Sequence, residues 1–376
     1  MPTTRAARRP VSIAEVRRRG AGAGLALVLA LAAASCVATG PDAVPGPDLP
    51  DGPAARALDL TGELRTHDPA LLAGADGEAW LVFSTGDERV GNGAIQVRTS
   101  PDGLDWADAG TLWTAATEPA WVRDVVPGVT NFWAPEVYEH DGTHYLYYTA
   151  STFGSNRSAI GLLTNPTLDP GDPTRGWVDH GEVLRSTPGE DNFNAIDPAI
   201  VEDADGTPWM AFGSFWGGIH LVQLAWPSGL PADPQAPPLQ IASRIGAPNA
   251  IEAPALIHRD GWFYLLVSRD ACCRGSDSTY NMAVGRSRAV TGPYVDRSGV
   301  AMTSDGGEPL LATRGDMIGP GGESVSGGHL AFHYYDAAAG GDFRLAIRTL
   351  AWDDDGWPIA TTRGEQEVGA RAEASP

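Results

Sequence analysis

Three carboxylates, Asp68, Asp197 and Glu252, stand at near-equivalent places in a short phrase that the chain repeats five times. Asp68 and Asp197 each directly precede a proline, and Glu252 lies two residues before one. Asp197 and Glu252 are 129 and 184 residues beyond Asp68, so only a fold that arranges repeats around a common axis can gather them. Once gathered and buried, like charge and desolvation raise the pKa of at least one carboxyl. A raised acid beside an ionised base is what cleavage of a glycosidic bond requires: one group protonates the departing oxygen while the other activates water. A lone Asp-Pro at a strand start is ordinarily a turn device. The combination says more, because two other copies keep the apolar strand but carry no acid at these positions.

The five copies are His67-Asp68-Pro69-Ala70-Leu71-Leu72, Trp133-Ala134-Pro135-Glu136-Val137-Tyr138, Ile196-Asp197-Pro198-Ala199-Ile200-Val201, Glu252-Ala253-Pro254-Ala255-Leu256-Ile257 and Gly319-Pro320-Gly321-Gly322-Glu323-Ser324-Val325. Their prolines are 56 to 66 residues apart, and each copy is followed by a turn glycine: Gly77, Gly142, Gly206, Gly261 or Gly327. Proline is tolerated at a strand start, where its missing N–H costs no ladder bond, and Asp-Gly turns mark hairpins. Aromatic-rich second strands are predicted over 80–83, 145–148, 209–212, 263–267 and 330–335, and outer strands over 94–99, 159–164, 219–224, 282–286 and 343–349. Units of this size, all strand, read as the blades of an all-β, five-bladed β-propeller spanning residues 58–365. Strand alternation points Glu136 away from the shared rim, so it is read as structural or as a support behind the site residues.

The chain has 376 residues, 26 of them basic, every one Arg, against 47 acidic. That balance argues against nucleic acid, which needs clustered positive charge, and favours a neutral substrate. Residues 1–36 have the form of an export signal: Arg5, Arg8, Arg9 and Arg17 to Arg19, then an apolar run from Ala21 too short to span a membrane comfortably. Small residues before Cys36 resemble a lipoprotein signal, with Cys36 lipidated, and Arg17-Arg18-Arg19 leaves twin-arginine export open. Residues 37–57, with five prolines, read as a linker, and 366–376 as a flexible tail. The expectation is an exported monomer, extracellular or held at the cell surface by lipid. Adjacent Cys272 and Cys273 make either a vicinal disulfide or two thiols, and by themselves no zinc site.

With these segments in view, the chain resembles the inverting endo-1,5-α-L-arabinanases of glycoside hydrolase family 43, which are five-bladed propellers. The resemblance runs from about residue 66 to 336. It rests on His67-Asp68-Pro69, Phe132-Trp133-Ala134-Pro135-Glu136-Val137, the Ser151-Thr152-Phe153-Gly154-Ser155-Asn156-Arg157 stretch, Asn194-Ala195-Ile196-Asp197-Pro198, Gly213-Ser214-Phe215-Trp216, Ile251-Glu252-Ala253-Pro254, Cys272-Cys273-Arg274-Gly275 and Phe332-His333-Tyr334-Tyr335-Asp336. It implies Asp68 as general base, Glu252 as general acid and Asp197 as the group that keeps Glu252 protonated and oriented. It implies that Trp133, Phe153 and Trp216 contact sugar, with Asn194, Ser214 and His67 as hydroxyl contacts, and that the partner is plant cell-wall arabinan or its oligosaccharides.

The chemistry itself requires no cofactor. Many bacterial members carry Gly-Pro-Gly-His in blade five, whose His helps to hold a metal, commonly calcium, at the channel floor. This chain has Gly322 there, with Glu323 adjacent as an oxygen donor and His333 expected as a packed core histidine. Two other functions share the scaffold: an exo-acting α-L-arabinofuranosidase or β-xylosidase, and a carbohydrate-binding propeller without catalysis.

Overall fold

In the computed structural model the described residues are 52–366, except 76, 88, 90–92, 170 and 173–174. The segments expected from sequence to be an export signal with Cys36, a linker (up to residue 51) and a tail (from 367) lie outside them. Among the described residues no helix is long and apolar enough to cross a membrane.

Each phrase enters the innermost strand of an antiparallel sheet, and the turn glycines, all at positive φ (56° to 86°), reverse the chain into the second strand. Blade one runs Ala70–Leu72, Trp80–Ser84, Gln96–Ser100 and Asp105–Thr111, and blade two Phe132–His140, Thr143–Ala150, Ser158–Asn165 and Val178–Ser186. Blade three runs Ala199–Glu202, Pro208–Phe212, Ile219–Ala225 and Leu239–Ala242, and blade four Ile251–Arg259, Trp262–Arg269, Asn281–Ser287 and Glu308–Leu311. Blade five has Met317–Ser326, His329–Asp336 and Asp342–Thr349. The strands expected to be outer are the third of each blade, and a fourth strand that sequence reading did not anticipate lies outside each. Asp105–Thr111 and Val178–Ser186 are largely solvent-facing and polar, so they lack apolar alternation.

Blade five takes its fourth strand from the other end of the chain. Arg56–Ala57 pairs antiparallel with Asp342–Thr349, and Ala55 bridges Thr362. Residues 55–57, expected to end the linker, therefore belong to the propeller. Two exposed residues carry no periodicity, and their place is set by the open edge that blade five would otherwise present. The closure is clamped by Arg348, 6% exposed, whose guanidinium donates to both Glu365 carboxylate oxygens (2.7 and 2.9 Å) and to the Ala360 carbonyl (2.7 Å).

Apolar packing is divided by interface. Phe83, Phe132 and Tyr148 join blades one and two; Tyr147, Ile200 and Phe212 join two and three; Ile219, Ile251 and Phe263 join three and four. Leu266, Met282 and Phe332 join four and five, and Leu71, Val82 and Ile347 close five onto one. Each interface is thus a separate small core, and the ring is only as firm as its last joint. Glu365→Ala leaves the Arg348 charge buried without its partner and is expected to destabilise the fold by about 3 kcal/mol. The urea unfolding midpoint reads this, and an unchanged midpoint would show that closure does not depend on the pair.

Candidate active site

The residue before the proline has positive φ in all five phrases: Asp68 48°, Ala134 34°, Asp197 57°, Ala253 49° and Gly319 54°. Four of these are not glycine, and such backbone costs on the order of 1–3 kcal/mol each unless its surroundings hold it. Strand register slips at the same place in blades two, four and five, between Trp133 and Glu136, Glu252 and Ala255, and Ile318 and Gly321. A bulge of this kind re-aims side chains at a strand end.

The preceding blade holds each kink. Thr85 of blade one accepts the Ala134 N–H of blade two (2.8 Å), and Thr149 of blade two accepts the Asp197 N–H of blade three (3.2 Å). Asp197 Oδ2 accepts the Ala253 N–H of blade four (3.0 Å). In blade five, Ser268 of blade four accepts not at Gly319, whose N–H donates to Thr313 Oγ1 (2.9 Å), but at Gly322, also at positive φ (2.9 Å), and His333 Nδ1 of blade five accepts the Asp68 N–H of blade one (3.1 Å). Five joints, five side-chain acceptors: the site is assembled by the same bonds that join the blades.

Asp68, Asp197 and Glu252 all line one cleft of about 1540 Å3, together with His67, Trp133, Phe153, Asn194, Ser214 and Trp216. The fold therefore brings together every residue that the sequence reading assigned to catalysis or sugar contact. Asp68 Oδ2 is bonded to His67 Nδ1 (2.8 Å) and accepts from Thr85 Oγ1 (2.6 Å). Burial would raise its pKa, but the His67 charge and hydrogen bond outweigh that and hold the carboxyl below the ordinary range. For His67 burial acts downward, and the Asp68 charge overcomes it, pushing the imidazole up to about 10. The two form an ion pair.

The other two carboxyls behave oppositely. Burial raises Glu252 to about 7, against a lowering hydrogen bond from Ser214 Oγ (2.7 Å). Burial also pushes Asp197 well above the carboxylate range, reinforced by the Glu252 and Asp68 charges nearby. Desolvation and mutual repulsion keep a proton on the Asp197–Glu252 pair at neutral pH. One cleft thus holds an ionised carboxylate and a protonated pair.

The remaining residues divide by exposure. Phe153 is 85% exposed and Trp216 38%, so both offer ring faces to the cleft; Trp133 is half-buried, its Nε1 donating to Asn131 Oδ1 (3.0 Å). Asn194 is buried, with Oδ1 accepting from Ser158, and the Ser214 hydroxyl is engaged by Glu252. His67 bonds Tyr335 through Nε2 (3.0 Å). Glu136 lies away from the cleft lining, and its Oε1 accepts the Ile200 N–H across the joint of blades two and three (3.2 Å).

Sequence reading passed over Thr85 and the contact between His333 and Asp68. The signal was present: Thr85, Thr149, Ser214 and Ser268 are hydroxyl residues within two positions of the ends of the second strands of blades one to four, and His333 lies in the matching strand of blade five. His333 is fully buried, as expected of a core histidine, yet it also lies 3.4 Å from Asp68 Oδ1.

The calcium expectation meets a poor donor set. A Cβ on Gly322, itself at φ 60°, would lie 2.5 Å from Asp68 Oδ1 and 2.7 Å from His333 Nδ1, so a histidine has no room there. Glu323 is buried, with Oε2 accepting from Ser268 (2.5 Å) and Oε1 unpartnered; burial pushes its pKa to about 8 and leaves it neutral. Calcium takes six to eight oxygens, and one neutral carboxyl does not fit that demand. Cys272 and Cys273 both line the cleft, with their Sγ atoms 2.7 Å apart.

The profile of Glycosyl hydrolases family 43 matches residues 61–358. An extracellular endo-α-(1→5)-L-arabinanase of Bacillus subtilis is 40% identical over 78% of this chain and 86% of its own length. An extracellular exo-α-(1→5)-L-arabinofuranosidase of Cellvibrio japonicus is 39% identical over 79% and 86%. The structure of a Cellvibrio cellulosa α-L-arabinanase complexed with arabinohexaose superposes with a TM-score of 0.73 at 38% identity, covering 81% of this chain and 97% of that one.

The folded pKa of Glu252, about 7, lies above the ordinary 4.5, so the folded state binds this proton more tightly than the unfolded chain. The stability it contributes is present at low pH and lost as pH climbs through 7. Glu252→Gln is expected to match the wild type near pH 5 and to exceed it by about 1–3 kcal/mol near pH 8. Urea unfolding at both pH values reads this, and an equal gap at both would refute the titration.

Proposed function

This chain belongs to the glycosyl hydrolases of family 43, and on that footing we propose that it hydrolyses internal α-1,5-L-arabinofuranosidic bonds of arabinan by single displacement with inversion. The observation that carries the reading is the pairing, in one cleft, of an ionised Asp68 with a protonated Asp197–Glu252 pair. Asp68 takes a proton from the water that attacks the anomeric carbon. Glu252, held by Ser214, gives its proton to the departing glycosidic oxygen. Asp197 fixes the Ala253 kink beside Glu252 and, through repulsion, favours the protonated acid.

Trp133, Phe153 and Trp216 are the proposed sugar platforms, since aromatic faces stack on apolar sugar faces. Asn194, Ser214 and His67 already bond protein partners, which makes them positioning groups before hydroxyl contacts. The cleft exceeds the roughly 300–1,000 Å3 of ordinary small-ligand sites, room that suits several sugars of a continuous chain. The exo reading draws on the Cellvibrio japonicus relative. An exported site of action is supported by relatives named extracellular; anchoring through lipidated Cys36 is the finer proposal.

Asp68→Asn and Glu252→Gln are each expected to fold and to lose about 10²–10⁴-fold in kcat on debranched arabinan. Asp197→Asn is expected to lose activity in the same direction. Full activity in any one removes that residue from the mechanism. Wild-type kcat/KM should fall as pH rises through about 7, where Glu252 gives up its proton; a flat profile to high pH would deny it the acid's role. Timed chromatography separates endo from exo: mixed oligomers early support endo action, and arabinose alone supports exo. Binding without cleavage would leave a carbohydrate-binding propeller.

A further inference from the structure

Two sulfurs in the cleft take no part in the hydrolytic steps. Cys272 and Cys273 stand on the loop after Trp262–Arg269; both line the cleft, and Cys273 is exposed. Their Sγ atoms lie 2.7 Å apart. The Tyr335 hydroxyl ties this pair to the general base. Its oxygen accepts the Cys273 N–H (2.8 Å) and the Nε2–H of cationic His67 (3.0 Å), which fills both lone pairs. Its own proton is left for Cys272 Sγ, at 3.2 Å. His67 in turn holds Asp68 through Nδ1 (2.8 Å).

From this geometry we propose that Cys272 and Cys273 are a reversible oxidation site, closed to a vicinal disulfide by a hydroperoxide and reopened by a dithiol, and that closing it retunes hydrolysis. An S–S bond is roughly 2.05 Å long, and the two sulfurs already stand near that separation. Reversibility follows from adjacency. Neighbouring Cα atoms are about 3.8 Å apart, below the roughly 4.4–6.8 Å usual for a bridged pair. So short a bridge is strained, and strained, accessible disulfides are the labile, regulatory kind.

The pair is also poised to react. A hydrogen bond from Cys272, then the His67 cation, draw Cys273 down to about 5 against burial, whereas burial pushes Cys272 well above the thiol range. Reduced, the two therefore share one proton, and the thiolate is the nucleophile. Cys273 sulfur attacks the peroxide and the O–O bond breaks. The distal oxygen leaves with a proton from solvent, as water or an alcohol, and Cys273 becomes a sulfenic acid. Cys272 sulfur then attacks that sulfur, the S–S bond forms, and hydroxide departs with the Cys272 proton as water. The two sulfurs lose two electrons and the peroxide gains them.

Closing removes one negative charge from the cleft. The groups that face the sulfurs are His67 and Asp68 of blade one, Asp197 of blade three, Glu252 and Tyr280 of blade four, and Tyr335 of blade five. Burial is the main reason that Glu252 keeps its proton, and the Cys273 and Asp68 charges add to it. Asp197 and Glu323 are its other acidic neighbours. Without the thiolate, Glu252 gives up its proton at lower pH. The link to hydrolysis rests on the proposed role of Glu252 as the acid: the alkaline limb of kcat/KM moves down when the bridge closes.

The test uses the full chain, reduced with dithiothreitol, treated with a small excess of hydrogen peroxide, then alkylated with iodoacetamide in denaturant. Trypsin cuts after Arg269 and Arg274, so the pair leaves as residues 270–274, apart from Cys36. By mass, that peptide should be two hydrogens lighter after oxidation and take no alkyl group until dithiothreitol is restored. On debranched arabinan, the alkaline limb of kcat/KM should lie lower in the oxidised protein by about half a pH unit or more, and return on reduction. Cys273→Ser should hold the limb at the lower position with or without peroxide; if it does not fold, Cys273→Ala reads the same. Two alkylated cysteines after oxidation, oxygen added to Cys273 without a bridge, or a bridge to Cys36 overturns the site. A closed bridge with an unmoved limb overturns the link to hydrolysis. Absence of hydrolysis in both states sinks the arabinanase reading instead and leaves the peptide result standing.

Discussion

Everything at the centre of this propeller depends on one contact repeated around the channel: a backbone N–H in the kinked phrase bonded to a side chain of the blade before it. The kink puts a non-glycine residue at positive φ in four blades, a conformation that local sequence resists. It persists because the exposed N–H finds Thr85, Thr149, Asp197 or His333 across the joint. In blades one and three the kinked residue is itself the acid, and in blade four the acid stands one residue earlier. The backbone device that joins the blades is therefore also the device that points the carboxyls into the cleft.

Blade four shows how the pattern is adapted to chemistry. There the kink at Ala253 is held by the Asp197 carboxylate, not by a hydroxyl, and the hydroxyl of Ser214 is left to bond Glu252. Asp197 is tied into the backbone of the strand that carries Glu252, so the two acids cannot drift apart. Blade five departs again: with Gly321 and Gly322 in the phrase, the ring of Tyr280 and the imidazole of His333 close over a backbone that has no side chains there. The space beside Asp68 is filled from the second strand instead.

The charge pattern follows from those neighbours. Asp68 has a cationic imidazole against it and stays ionised despite burial, whereas Glu252 and Asp197 have mainly each other and low-dielectric surroundings. Burial is common to all three, so the partner decides the sign. The same imidazole turns its Nε2 to the Tyr335 hydroxyl, with the Cys272 sulfur 3.7 Å away.

How much of this was legible in the sequence depends on whether the determining contacts are local. The phrase, its turn glycine and the aromatic strand behind it are set by short-range sterics and alternation, so the five blades, their order and the three acids could be read from residue types and spacing. The fourth strands could not: those of blades one and two are polar and exposed, and each is defined by the partner it pairs with. Nor could the closing strand at Arg56–Ala57, which has no pattern of its own and pairs with residues almost 300 positions away. The protonation states, the seat of His333 and the nearness of Cys272 to His67 are likewise products of the closed ring. Burial and Coulomb terms act through space, and only the tertiary structure sets which blade faces which.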